Sequence, residues 1–473
     1  MLNLRCYFGI FLVIIGMFSV FCAICSFIYS EFLSFLFFTF FSVCLLLIGS
    51  LIWRSRSNGL HGTHEASVMV IGNFIAVIMI SALPYIIVSG AKLVDGLFES
   101  VSGYTTSGMS VFVDVEAFPR GLLLWRSSTE WLGGFALILI LILLVKSEDR
   151  RILAKSKGFE RENAISVASL IRNLLLLYLL STSVGFLFLS VFGGMTPFDA
   201  INHSMTAIST GGFSTKNQGI YYFEHTADYN PIAIEVIVNI LSLFGMTSFV
   251  LISSIFLRRG FMQAIQGKAY TIDRKEIKLM TFFLIISTSV ISWAFFNNLD
   301  LSSDYAIRMG VFHSITSMSG TGYNAMPTDN WMVTPKLILI MLFFVGGSAW
   351  SAAGAIKLNR IYYVLRSIPK LIVRKTSIAL EAKEAWIYLV SYVLVTIVGL
   401  ILLWPFLREH QFIDVLYQVA ATPANSGPQI IDVSQVHPFG KLCFISLMLL
   451  GYFEIYPLLS LFKTLFTQRR FNS

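Results

Sequence analysis

Long apolar runs alternate with short polar ones along the whole chain. Runs at 6–29 and 33–53 have almost no connection between them and predict a helical hairpin of membrane length. Beyond it the alternation becomes periodic. Apolar runs near 67–90, 165–193, 278–297 and 385–407 each lead into a shorter, more polar stretch. A second apolar run follows near 121–146, 232–257, 335–364 and 438–466. Eight spans and the hairpin make ten crossings, and the four polar stretches between paired spans are too short and too polar to cross by themselves.

The clearest of these stretches is 312–323, Phe-His-Ser-Ile-Thr-Ser-Met-Ser-Gly-Thr-Gly-Tyr. Its first half predicts a helix of two turns, and its Ser-Gly-Thr-Gly-Tyr end cannot continue one. A short helix followed by an extended glycine-rich run is how a chain enters a membrane and turns carbonyls toward a pore. Stretches 98–108, 202–212, 312–322 and 417–427 align without a gap, and Gly108, Gly212, Gly322 and Gly427 recur at intervals of 104, 110 and 105 residues. Nine residues before each glycine stands a polar group: Glu99, His203, His313 and Gln418. A repeat of this length is a whole supersecondary unit. It predicts an all-α polytopic membrane protein of four pseudo-symmetric span–pore-loop–span repeats around one pore, plus an N-terminal hairpin. The predicted units are the hairpin and its loop at 1–65 and repeats at 66–160, 161–275, 276–380 and 381–473.

Composition agrees: 56% of the 473 residues are hydrophobic and 13% charged, with a mean hydropathy of +0.75. The net charge of +8 points to membrane topology rather than nucleic acid, because the basic residues gather in loops between spans. Loops at 146–161, 258–278 and 357–383 and the tail beyond 463 are rich in Lys and Arg, whereas the linkers carrying the polar stretches hold Asp95, Glu99, Asp114, Glu116, Asp199, Asp300, Asp304 and Asp414. The asymmetry places both termini in the cytoplasm and opens the polar stretches outward. Cys22 and Cys25 have redox-motif spacing but lie inside an apolar run, and no disulfide or zinc framework is indicated.

The candidate ion-lining residues are Thr106, Ser107 and Gly108, then Thr210, Gly211 and Gly212, then Gly320, Thr321 and Gly322, then Asn425, Ser426 and Gly427. Carbonyls replace a cation's hydration shell when several converge, and four repeats supply four strands around one axis. Glycine aims a carbonyl without a side chain in the way, and the negative ends of four short helices favour cations. The four polar residues read as hydrogen-bonded scaffold, with Glu99 alternatively drawing cations to the outer mouth. In the third repeat, Gly346-Gly347-Ser348 and the small residues through Gly354 to Lys357 interrupt an otherwise apolar helix. That run reads either as a close helix crossing or as a broken helix whose loop gates the pore. A polytopic enzyme would instead gather acids, histidines or a nucleophile at one depth.

Several patches together resemble the Trk/Ktr/HKT superfamily of potassium transporters, the Trk-type members most closely. They are the run 98–108, Trp125-Arg-Ser-Ser-Thr-Glu-Trp-Leu-Gly-Gly134, Ile208-Ser-Thr-Gly-Gly-Phe-Ser214 and the run 346–357. The resemblance implies uptake of K⁺ across the bacterial inner membrane, with K⁺ as the transported ion and no organic cofactor. It implies a homodimer among membrane lipids, with a cytoplasmic TrkA-type nucleotide-binding subunit as partner. The chain itself has no Gly-x-Gly-x-x-Gly after a strand. Glycine at all four positions resembles the potassium-selective members; a sodium-permeable or weakly selective transporter is the alternative. Two departures stand out. The family usually has glycine where Trp350 and Ala355 stand, which would stiffen the loop. Tyr452 replaces an arginine associated with a barrier below the filter.

Overall fold

The computed structural model describes residues 4–54, 63–144, 167–249, 252, 274–299, 301–328, 331–349, 351–372, 380–426 and 428–453. Of the basic segments that set the predicted orientation, 146–161, 258–273, 373–379 and the tail lie outside them, as do Trp350 and Gly427. Regular structure among the described residues is helical. Helices α1 (Leu4–Ile28) and α2 (Phe32–Arg54) form the expected hairpin. Ser26 and Ser34 hydroxyls bond at 2.9 Å across its tip, and Ser19 donates to the Phe38 carbonyl at 3.0 Å.

Four units follow, each an apolar helix, a shorter helix, an extended strand and a second apolar helix. The first holds α3 (Thr63–Ser81), its continuation α4 (Leu83–Val88), the short α5 (Leu93–Tyr104) and α6 (Arg120–Leu144). The second holds α7 (Val167–Val191), the short α8 (Pro197–Ile208) and α9 (Pro231–Met246). The third holds α10 (Arg274–Asn298), the short α11 (Ser303–Ser319), then α12 (Val333–Val345) and α13 (Leu358–Ile372). The fourth holds α14 (Leu380–Leu403), the short α15 (Phe412–Ala421) and α16 (Pro438–Tyr452). By length and composition, six stretches among the described residues can cross a membrane: Phe8–Ile28, Phe32–Arg54, Ile71–Val88, Ile171–Val191, Lys275–Asn298 and Leu380–Phe406.

The units close into a ring, because each second helix packs on the short helix of the next unit. The pairs are α6 on α8, α9 on α11, α12 on α15, and α16 back on α5. Charges near the starts of these helices repeat the arrangement. Lys441 on α16 pairs with Asp95 on α5 at 2.6 Å, and Lys336 on α12 with Asp414 on α15 at 2.5 Å. Between the second and third units the signs are exchanged, with Glu235 on α9 meeting Arg308 on α11 at 2.9 Å. Between the first and second, Arg120 lies 5.2 Å from the centre of the Phe198 ring.

Two elements differ from expectation. Helix α11 begins at Ser303, well before the two turns expected, because Ser302 caps it by accepting from Tyr305 N. The apolar run 232–257 is not one helix: α9 stops at Met246 and Thr247 is extended, with ψ 148°. The carbonyls at this end are taken by the third unit, since Ala352 N donates to Gly245 O at 3.0 Å and Ser348 N to Met246 O at 2.8 Å. Orphan helix-end carbonyls need such partners, and a long-range contact supplies them here.

Candidate functional site

All four short helices end alike. The chain turns left-handed at Thr106 (φ 54°), Thr210 (φ 58°), Gly320 (φ 87°) and Asn425 (φ 49°), two residues before the aligned glycine in each unit. Ser107 N, Gly211 N and Ser426 N then reach back to the carbonyls of Ser102, Thr206 and Ala421 at 2.8, 2.9 and 3.1 Å. This is the closing bond of a Schellman turn. In the third unit Gly322 N takes the equivalent Thr316 carbonyl at 3.0 Å. Gly108, Gly212 and Gly322 are left-handed again, at φ 70°, 94° and 69°. In an ordinary strand successive carbonyls face opposite ways. Alternating the sign of φ removes that alternation and turns successive carbonyls to one side. Two β-branched threonines held left-handed are costly, on the order of 1–2 kcal/mol each, and such strain gathers where function needs the backbone so placed.

The strands approach one another closely. A Cβ added to Gly320 would lie 3.2 Å from Asn425 O and 3.8 Å from Thr210 O, and one on Gly212 would lie 1.9 Å from Thr321 O. Only glycine permits that last approach. The hydroxyls of Ser107, Thr210 and Ser426 are buried without a protein partner. Outside the strands a vestibule of about 540 Å³ is lined by Gly108, Gly212, Gly322, Lys216, Asn217 and Asp432, among others.

The four polar residues of the short helices do one job. Each bonds to the chain beyond its own strand. Glu99 accepts from Ser110 Oγ at 3.0 Å and Val111 N at 3.3 Å. His203 Nε2 meets Ser214 Oγ at 3.0 Å, and His313 Nε2 accepts from Ala325 N at 3.4 Å. Gln418 Oε1 accepts from Ile430 N at 3.0 Å. Both histidines turn Nδ1 to a carbonyl, that of Asp199 or Met309 at 2.8 Å, so Nδ1 carries the proton and Nε2 accepts. The scaffold reading holds for all four, and the alternative for Glu99 does not. Glu99 is fully buried and paired with Arg126 of α6 at 2.6 Å, so its charge does not face the outer mouth.

Arg126, within the motif 125–134, joins two units. It donates to Glu99 and, at 3.1 Å, to the Ser214 carbonyl of the second strand. Glu130, one turn on, accepts from Phe213 N at 3.1 Å. Ser242 of α9 accepts from Thr321 Oγ1 at 2.9 Å, and Tyr323 donates to Phe213 O at 3.2 Å. Charged residues inside an apolar helix were the available signal for Arg126 and Glu130.

Beneath the strands lies the interrupted helix. α12 ends at Gly346 (φ 68°), and helix resumes only at Leu358. Gly347 O accepts from Leu358 N at 2.9 Å, which ties the two ends of the break. Gly354 meets the strand of the fourth unit so closely that an added Cβ would lie 2.1 Å from Ala424 O. The space bounded by Gly320, Gly346, Gly354, Ala355 and Ser426 leaves no volume for a water molecule. Ala355 (φ 67°) and Lys357 (φ 81°) are left-handed without being glycine. The buried Lys357 ammonium donates to Ala353 O, and to Ser351 O at 3.4 Å. Tyr452, at the departure noted above, turns away from this loop. Its hydroxyl donates to Gly133 O at 2.8 Å, and its ring stacks on Phe74 at 5.1 Å.

A ring of four pore-loop units with backbone converging on one axis defines a membrane cation transport protein rather than a polytopic enzyme. The family model described as TrkH, cation transport protein, matches residues 33–473, and the chain belongs to that family. It is 27% identical to the Trk system potassium uptake protein TrkH of Escherichia coli strain K12, over 89% of this chain and 90% of that one. It is 26% identical to an uncharacterized cation transporter of Methanocaldococcus jannaschii, over 86% and 83%. The crystal structure of the potassium transporter TrkH from Vibrio parahaemolyticus shares the fold with a TM-score of 0.76, covering 97% of this chain and 98% of that one at 23% identity.

Proposed function

We propose that this protein takes up K⁺ across the inner membrane through a selectivity filter made by the four strands at 106–108, 210–212, 320–322 and 425–427. The observation that carries the reading is the left-handed residue at Thr106, Thr210, Gly320 and Asn425, recurring at one position in all four units. Carbonyls aimed together by such turns replace part of a cation's hydration shell, and the helix ends behind them add negative potential. The curated Trk relatives, named as potassium uptake proteins, and glycine in every strand favour potassium over sodium as the preferred ion.

The loop 346–357 is the gate in this reading. It occupies the path just beneath the strands, and Lys357 adds a positive charge that opposes a cation there. The carbonyls of Gly245 and Met246 and those that Lys357 bonds hold it in place; moving it opens the inner half. Regulation comes from a cytoplasmic TrkA-type subunit acting on a homodimer, with both termini cytoplasmic. The test is growth and rubidium uptake by a potassium-transport-deficient bacterium at low potassium, with and without a TrkA-type partner. Uptake that the partner modulates and sodium inhibits weakly is expected. Equal competition by sodium would support the weakly selective alternative, and no uptake in either strain would refute the transport reading.

A further inference from the structure

The four second helices share a register. Gly133, Gly245 and Gly451 each lie against the carbonyl four residues before the aligned glycine of their own unit, so that an added Cβ would come within 2.2 Å of Tyr104 O, 2.6 Å of Ile208 O and 2.0 Å of Pro423 O. Gly346 is the matching glycine in the sequence of the third unit, where an added Cβ would meet Gly354 O at 2.7 Å instead. Three residues earlier stand Glu130, Ser242, Phe343 and Met448. Ser242 bonds to Thr321 of the next strand, Phe343 packs edge-on against the Tyr417 ring at 5.0 Å, and Met448 is buried in an apolar cluster. The position therefore accepts a small polar or an apolar side chain, and packing does not require a charge. Only Glu130 has one.

Glu130 is fully buried. Both its oxygens lie 3.1 Å from Phe213 N, and they stand directly behind Gly211, where an added Cβ would come 2.3 Å from Oε2. An ionised carboxylate only accepts hydrogen bonds, whereas the neutral acid must also donate one. No hydrogen bond from the Glu130 carboxyl to an acceptor is seen among the described residues. The Tyr178 and Tyr323 hydroxyls donate to Trp131 O and Phe213 O, so neither donates to the Glu130 carboxyl. Among the described residues the charged groups near it are Arg126, one turn back on the same helix, and Glu99, the carboxylate that Arg126 pairs with. Arg126 spends its other bonds on Ser110 Oγ and Ser214 O. Burial disfavours a lone carboxylate, so Glu130 stays charged only where a positive charge compensates it. Among the described residues no further cation faces it, and the side left open is the front of the strand, where the transported cation passes.

We propose that Glu130 is an affinity-determining residue for the transported cation: a fixed carboxylate behind the second strand whose counter-charge is the ion held in front of it. The inference rests on the pore reading above. Across one strand in a medium of low dielectric, a full charge is felt strongly. It strengthens binding to that strand relative to the three that lack it, while leaving the path itself lined by carbonyls.

The test is the rubidium dependence of uptake by potassium-transport-deficient cells carrying the full chain. Glu130→Gln keeps the shape and the acceptor for Phe213 N and removes the charge. Its KM for rubidium should rise by roughly tenfold, more than the maximal rate falls, which is the mark of lost ground-state binding. Glu130→Asp keeps the charge and should stay nearer the parent. Should Glu130→Gln not accumulate, Glu130→Ser puts the second unit's own residue at this position and should show the same rise. A KM for Glu130→Gln or Glu130→Ser within twofold of the parent, or an Asp variant as impaired as the Gln variant, would overturn the role of the charge. A parent that carries no rubidium would instead overturn the pore reading beneath it.

Discussion

Helices α6 and α12 occupy equivalent places in the first and third units and begin alike, each reaching a pair of glycines. α6 runs through Gly133 and Gly134 to Leu144, whereas α12 stops at Gly346. The glycines are common to both, so they do not by themselves decide the outcome. After Gly134 come Phe135, Ala136 and Leu137, which are buried and restore apolar packing. After Gly347 come Ser348 and, apart from Trp350, small residues through Gly354 that offer little area to bury, and the freed backbone is met by Gly245 O and Met246 O. A helix passes a glycine pair when side chains beyond it repay packing. It breaks when they do not and another chain segment supplies the lost hydrogen bonds. The consequence is a division of labour: α6 fixes the strands in front of it, and the third unit's break closes the space beneath them.

The largest expected effect comes from damaging the fixed side. Glu99→Ala leaves the Arg126 guanidinium buried without its carboxylate, and removing one partner of such a pair costs about 3–5 kcal/mol. Thermal unfolding in detergent should show a large fall in midpoint. Shortening the loop within 348–355 attacks the other side. Basal rubidium uptake should rise, about tenfold for each 1.4 kcal/mol by which closure is weakened, without a change in ion preference. Unchanged uptake by a folded deletion would leave the loop as packing only.

Much of this contrast was legible in the sequence. The hairpin, the span order and the four aligned glycines come from local pattern, and the break at Gly346 from a composition no other span shares. The left-handed turns fall at Thr106, Thr210 and Asn425, two residues before the aligned glycines, and a threonine gives no local sign of positive φ. The early end of α9 was invisible because its cause is a loop about a hundred residues away. Glu99 was ambiguous for a related reason: only the fold brings Arg126 within 2.6 Å and turns the acid from the mouth to the interior.

A smaller effect should follow from Gly108→Ser, which adds a Cβ at φ 70°. The strain, on the order of 1 kcal/mol or more, should turn that carbonyl from its neighbours. Sodium should then inhibit rubidium uptake several-fold more strongly than in the parent, and no change would remove Gly108 from the filter. The smallest effect concerns the tie between the first and fourth units. Tyr452→Phe removes the bond to Gly133 O and should cost about 1 kcal/mol, read as a modest drop in unfolding midpoint with ion preference intact.

The most direct test of the whole account is cation flux into liposomes holding the purified parent and, side by side, its loop-shortened variant. The account predicts potassium and rubidium carried ahead of sodium by both proteins, with the variant faster and the order of ions the same. Equal flux of all three ions through the parent, or an ion order that changes when the loop is shortened, would contradict a filter built by the four strands and a separate gate beneath it.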